Sequence, residues 1–224
     1  MRILSSVVLA AGLFTAGSAM AQDPILDKTY LRLDSGASFA RNPGDNYSTD
    51  PGAAAIIGGG VGYRVNNHIR TDVTITHRTN YTVKAAGTDP NTTDALNAKA
   101  NVRSTTAMAN VYYDIAKLNR FTPYVGAGAG ASYNSTSSVQ KFINGGLVGE
   151  DSSATTTQPA WQVSAGTSVA ITQNVSADVG YRYQDLGKIK VNTDMTPYGE
   201  SGALTGGKTN LSAHEVQAGV RYNF

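Results

Sequence analysis

The chain contains no cysteine, which removes disulfide staples, thiolate metal sites and a lipidated terminal cysteine from consideration. Charge is scarce as well. Only 15% of residues are Asp, Glu, Lys or Arg, against about a quarter in ordinary soluble domains. No apolar run reaches the roughly 20 residues that a spanning helix needs, and no long segment shows a helical apolar period. Histidine is limited to three residues, dispersed as His68, His77 and His214, so no carboxylate and histidine cluster has metal-ligand spacing. The formal charge is only +2 and falls to about +1 without Arg2, which argues against a nucleic acid partner.

What the chain does have is 24 glycines, 12 tyrosines and a strong period of two. The first stretch, MRILSSVVLAAGLFTAGSAMAQ, reads as a secretory signal peptide over residues 1–21, with one basic residue, a short apolar run and small residues before the cut after Ala21. The remaining domain, residues 22–224, holds eight alternating segments. They run from Tyr30 to Phe39, Ala53 to Val65, Ile69 to Tyr81, Val102 to Ile115, Thr122 to Tyr133, Ala160 to Ile171, Val175 to Leu186 and Leu211 to Phe224. Between them long polar connections alternate with tight turns (Asn66-Asn67-His68, Ala116 to Phe121, Thr172-Gln173-Asn174). This rhythm predicts an all-β fold: an eight-stranded antiparallel up-and-down transmembrane β-barrel with short periplasmic turns and long outer loops.

The faces support lipid rather than a soluble core as the outer neighbour. One parity carries Leu31, Leu33, Ile57, Val61, Ala107, Val111, Val125, Val163 and Val179, with no charge among them. To the interior the sequence assigns Arg32, Asp34, Arg64, Arg70, Asp72, Arg78, Arg103, Asp114, Asp178, Arg182, Glu215 and Arg221, a set that would be untenable as a soluble core. In so narrow a barrel these groups must pair, which predicts a stiff, plugged or very narrow lumen. Inward glycines such as Gly58, Gly126, Gly128 and Gly180 point the other way, towards a narrow pore. Aromatic girdles are expected at both rims, from Phe39, Tyr81, Tyr133, Trp161 and Tyr183 outside and from Tyr63 and Tyr113 at the periplasmic side.

YRYQDLG at Tyr181 to Gly187, TPYVGAGAG at Thr122 to Gly130, IIGGGVGYRV at Ile56 to Val65 and the last strand HEVQAGVRYNF resemble small eight-stranded outer-membrane proteins of the opacity-porin and OmpA-like class. That resemblance implies insertion in the bacterial outer membrane after export, with outer-membrane lipid and lipopolysaccharide as neighbours. It also implies recognition by the barrel assembly machinery through Val216, Val220, Tyr222 and Phe224. The function expected is mainly structural, at the cell surface. The alternative is a surface binding protein, an adhesin or a binder of haem or another small ligand, acting through four long loops. A lipid-modifying enzyme is a third reading, resting only on His77 near Thr79 and His214 near Ser212, so no catalytic residue and no cofactor is assigned. The apolar island FINGGLVG, Phe142 to Gly149, is expected to pack on the barrel rim.

Overall fold

A computed structural model describes residues 26–41, 52–88, 95–137, 140–143, 146–150, 154–190 and 208–224. The signal segment 1–21 lies outside the described residues. β1 (Thr29–Ala40), β2 (Ala53–Arg64), β3 (Ile69–Thr88), β4 (Ala95–Asp114), β5 (Phe121–Thr136), β8 (Ala154–Ala170), β9 (Val175–Lys190) and β10 (Lys208–Asn223) form the wall, while β6 (Gln140–Ile143) and β7 (Gly146–Glu150) form an extra hairpin. Each wall strand pairs antiparallel with its neighbours, and β10 returns to β1, Leu31 opposite Tyr222 and Phe39 opposite His214. The sheet is therefore a closed barrel of eight strands. Closure gives every wall strand two neighbours, the condition for a sheet in lipid, where an unpaired peptide group has no water to turn to.

The tight turns are built by side chains that imitate the next backbone acceptor. Asn66 Oδ1 accepts from the N–H groups of His68 and Ile69, each at 2.8 Å. Thr172 Oγ1 does the same for Asn174 and Val175. Asn119, at φ 58°, turns the chain between Leu118 and Phe121, a conformation that asparagine tolerates better than most residues.

Alternation then sorts the faces. Ile57, Val73, Ile75, Val111, Val179 and Val216 are each 52–65% exposed on the outside, while Arg70, Arg78, Gln184 and Glu215 are fully buried inside. The polarity is that of a protein turned inside out, which lipid requires and water would not permit.

Three differences from the sequence reading have physical causes. β3 and β4 run to 20 residues each, about 66 Å at the usual strand rise, so they project well beyond the bilayer. The segment Thr82 to Asn101, read from sequence as a loop, is largely this paired ribbon, with Thr82 opposite Asn101 and Thr88 opposite Ala95. Beyond the bilayer a paired ribbon is under no requirement to keep one face apolar, so the alternation that marks a membrane strand need not appear in its sequence. The second difference is the FINGGLVG island: part of it forms β6 and β7, and β6 extends the sheet by pairing with Leu96–Lys99 of β4. It therefore widens the protruding ribbon by two short strands.

The third is a one-residue bulge. Arg78 faces Ser104 and Tyr81 faces Val102, so β3 takes three steps where β4 takes two. The extra residue switches the parity of β3. Tyr81, expected in the outer girdle, is consequently buried inside at 1% exposure.

Candidate functional site: the lumen

The interior is arranged in tiers along the barrel axis. Nearest the turns, Arg32 on β1 is the hub. Its Nε and Nη2 donate to the two carboxylate oxygens of Asp34 at 2.8 Å, and its Nη1 donates to Asp72 and to Tyr112 Oη at 2.9 Å. Arg70 reaches Asp114 through Nε and Nη2 at 2.8–3.0 Å. Asp72 also accepts from Asn110 Nδ2 at 2.7 Å, and Asn110 Oδ1 accepts from Gln162 at 2.6 Å. Arg221 stands 3.6 Å from Asp178 and donates to Ser168 Oγ at 3.1 Å. Polar side chains from six of the wall strands are thereby tied across the lumen.

Tyrosine rings fill what the charges leave open. Tyr112 lies beneath the guanidinium groups of Arg32 and Arg70, at 5.6 and 5.1 Å, and meets Tyr124 edge-on at 5.7 Å. Tyr30 lies under Arg221 at 5.3 Å and occupies the space over Gly62, while Tyr124 Oη sits 2.7 Å from where a Cβ of Gly166 or Gly180 would be. The inward glycines of this region therefore seat aromatic rings and side chains instead of opening a pore: Gly126 lies against Tyr112 and Gly128 against Asn110.

A second polar tier lies nearer the loops, centred on Glu215 of β10, which is fully buried. Its Oε1 accepts from Arg78 Nε at 2.6 Å and Ser38 Oγ at 2.7 Å, and its Oε2 accepts from Arg182 Nε at 2.7 Å. Arg78 continues to Thr106 Oγ1 at 3.1 Å and to Gln184 Oε1. Above this triad the lumen turns apolar. Ala54, Tyr81, Val102, Leu186 and Leu211 pack together, all at 7% exposure or less. Tyr81 joins the two zones, its hydroxyl donating to Ser38 Oγ at 2.5 Å.

Two further assignments change. Arg103 is exposed on the outside of β4, because it shares the parity of Ala107, Ala109 and Val111; the sequence reading had placed it inside against its own alternation. Arg64 is half-buried at the turn end, where Nη2 donates to Asn223 Oδ1 at 3.1 Å. Among the described residues the lumen then holds five buried arginines (Arg32, Arg70, Arg78, Arg182, Arg221) against four buried carboxylates (Asp72, Asp114, Asp178, Glu215) and the half-buried Asp34, a formally balanced set. Tyr30, Tyr112, Tyr124, Asn110, Gln162 and Gln184 were missing from the sequence assignment, although their even numbers match those of Arg32 and Asp114 and would have found them.

The histidine pairs also differ from those the spacing indicated. His77 Nδ1 lies 2.9 Å from Thr105 Oγ1 across the β3–β4 pair, and His214 contacts Tyr181 and packs 5.3 Å from Tyr183. On the outside, Tyr113 stacks with His68 and Tyr222 meets Phe224 near the turn end. Phe39, Tyr133, Trp161 and Tyr183 lie towards the loop end.

A closed antiparallel wall, apolar outside and ionic within, defines the class of small membrane β-barrels. The chain belongs to the outer membrane protein beta-barrel domain family, whose model matches residues 6–224, and its place is the bacterial outer membrane. A Rickettsia conorii protein named as a candidate adhesin is 31% identical over 84% of this chain and 74% of its own length. Outer membrane protein PagN of Salmonella typhimurium is 32% identical over 58% of this chain and 53% of its own. Among solved structures, Neisserial surface protein A shares 26% identity and a TM-score of 0.56, covering 88% of this chain and 97% of the other.

Proposed function

We propose that this protein is a closed, non-conducting outer-membrane barrel whose work is done at the cell surface by what it carries above the bilayer, and that it is not an enzyme. The observation that carries this reading is the lumen: a charge-balanced ionic tier, a buried Glu215 triad and an apolar layer follow one another along the axis. An ion entering from either end would have to break paired charges or cross an apolar seal. Purified barrel in planar bilayers is therefore expected to give no large, stable conductance. Steps of general-porin size would end the proposal.

The adhesin reading is the more specific form of the same role. It is favoured by the long β3–β4 ribbon with its added β6–β7 hairpin and by the name of the Rickettsia relative. Binding of haem or another small ligand at the loops is the weaker version, since no observation on the ribbon favours it over a larger partner.

The outward stripe at the end of the chain, Val216 and Val220 exposed and Tyr222 and Phe224 half-buried, is proposed as the surface that the assembly machinery reads, and the outward rings at the two ends as interfacial girdles. Phe224 buries little, worth about 1–2 kcal/mol at an interface. Deleting it should cut outer-membrane yield in cells severely while leaving refolding into detergent nearly normal. Equal loss in both assays would reduce Phe224 to a structural rim residue.

A further inference from the structure

At its loop end the barrel wall has a seam between β8 and β9 where the ladder stops early. β8 pairs with β5 as far as Thr136 opposite Ala154, and β9 pairs with β10 as far as Lys190 opposite Lys208. Between β8 and β9, however, the last partners are Trp161 and Asp185. Pro159 has no N–H to offer a ladder at this point. Gly187 adopts φ +74°, and a Cβ there would stand 2.6 Å from Gln158 Cβ and 3.0 Å from Pro159 O, so the backbone passes too close for any other residue. The freed groups are satisfied locally: Gly187 N–H donates to Asp185 Oδ1 at 2.8 Å, and Leu186 O accepts from Ser132 Oγ at 2.5 Å and Asn134 Nδ2 at 3.0 Å. Side chains have replaced the ladder, so the break is part of the design of the wall.

A cleft of about 520 Å³ follows this seam on the outer surface, lined by Pro159, Trp161, Asp185, Gly187, Lys188 and Asn210 among others. Its lower edge is aromatic: Trp161 packs on Tyr183 at 5.6 Å, and Tyr183 on His214 at 5.3 Å. Its upper edge is basic in sequence, with Lys188 and Lys190 on β9 and Lys208 opposite Lys190 on β10. The one nearby carboxylate in the lining, Asp185, is engaged by the Gly187 N–H. A broken ladder is tolerable at headgroup depth, where polar partners exist, and intolerable deeper.

We infer that the β8–β9 seam is a binding site for a phosphorylated lipid of net negative headgroup charge in the surrounding outer leaflet, its headgroup held at Lys188 and its acyl chain laid along Trp161 and Pro159. Apolar rings below and a cation above match the order in which an amphiphile standing in that leaflet presents tail and phosphate. The site is separate from the lumen and does not depend on whether the barrel conducts.

Trp161 is the only tryptophan of the chain, so its emission reports on this cleft alone. The refolded full barrel would be placed in phosphatidylcholine vesicles containing a small, equal mole fraction of either brominated-chain phosphatidic acid or brominated-chain phosphatidylcholine. Quenching of Trp161 should show phosphatidic acid enriched about fivefold over phosphatidylcholine, the factor that one lysine near an anionic headgroup supplies. Lys188→Gln should bring the ratio close to one, while Lys117→Gln, at the turn end, should leave it unchanged. Both variants are checked for folding by their mobility before and after boiling. Equal quenching by the two lipids would overturn the inference as an ordinary lipid annulus, and so would a preference that survives Lys188→Gln or disappears with Lys117→Gln.

Discussion

Glu215→Leu is expected to destabilise the barrel by about 3–5 kcal/mol, the usual consequence of leaving buried cations without their counter-ion. Arg78 is fully buried and Arg182 nearly so, and Glu215 is the carboxylate both of them touch. Urea titration of refolded protein in detergent, read by the mobility difference between unboiled and boiled samples, would measure the loss. The triple change Glu215→Leu with Arg78→Met and Arg182→Met should recover most of it, because removing all three charges also removes the desolvation each had suffered. If Glu215→Leu alone unfolded at the parental urea concentration, the triad would be bathed in water and the lumen would not be closed at this level.

Ala127→Arg should cost about 2–4 kcal/mol in a bilayer, the range for a basic residue facing lipid near the midplane. Ala127 is exposed, stands near the middle of β5, and has Val111 and Val163 as its cross-strand partners. An arginine there has no ion partner and a long way to reach either headgroup region. Thr155→Arg, exposed on the same wall but beyond the band, should stay within about 0.5 kcal/mol of the parent, as surface changes do. Comparing refolding equilibria of the two variants in lipid vesicles tests where the membrane lies. Equal penalties would mean that the apolar band has been placed wrongly.

These two sites differ in how clearly the sequence announced them. Ala127 could be read directly, because within the bilayer each strand must present lipid-compatible groups on every second residue, and that constraint writes itself into the composition. The eight strands were legible for the same reason. Glu215, Arg78 and Arg182 could be sorted to the interior by parity, yet parity says nothing about partners: that Glu215 collects two arginines follows from register, which only the closed sheet fixes. Tyr81 failed because a single inserted residue near Thr79 and Asn80 inverts every later side chain on that strand, and nothing in the local composition marks the insertion. Thr82 to Asn101 looked like a loop because a ribbon beyond the bilayer is under no requirement to display an apolar stripe. The β8–β9 seam was equally hidden, since Pro159 and Gly187 are far apart in sequence and acquire meaning only as neighbours.

The bulge between Arg78 and Tyr81 separates two regimes of inheritance. Below it, each residue of β3 is bound to a face, so a single inserted or deleted codon would turn charges towards lipid and apolar groups towards the lumen, and the lineage carrying it would lose the protein. Above Tyr81 the strand soon leaves the wall and pairs with β4 as a ribbon, where the bilayer no longer dictates which face must be apolar. Descendants can lengthen, shorten or rewrite that ribbon a residue at a time while the wall beneath stays the same. The portion of the molecule that other cells and antibodies would meet first is thus the portion freest to drift.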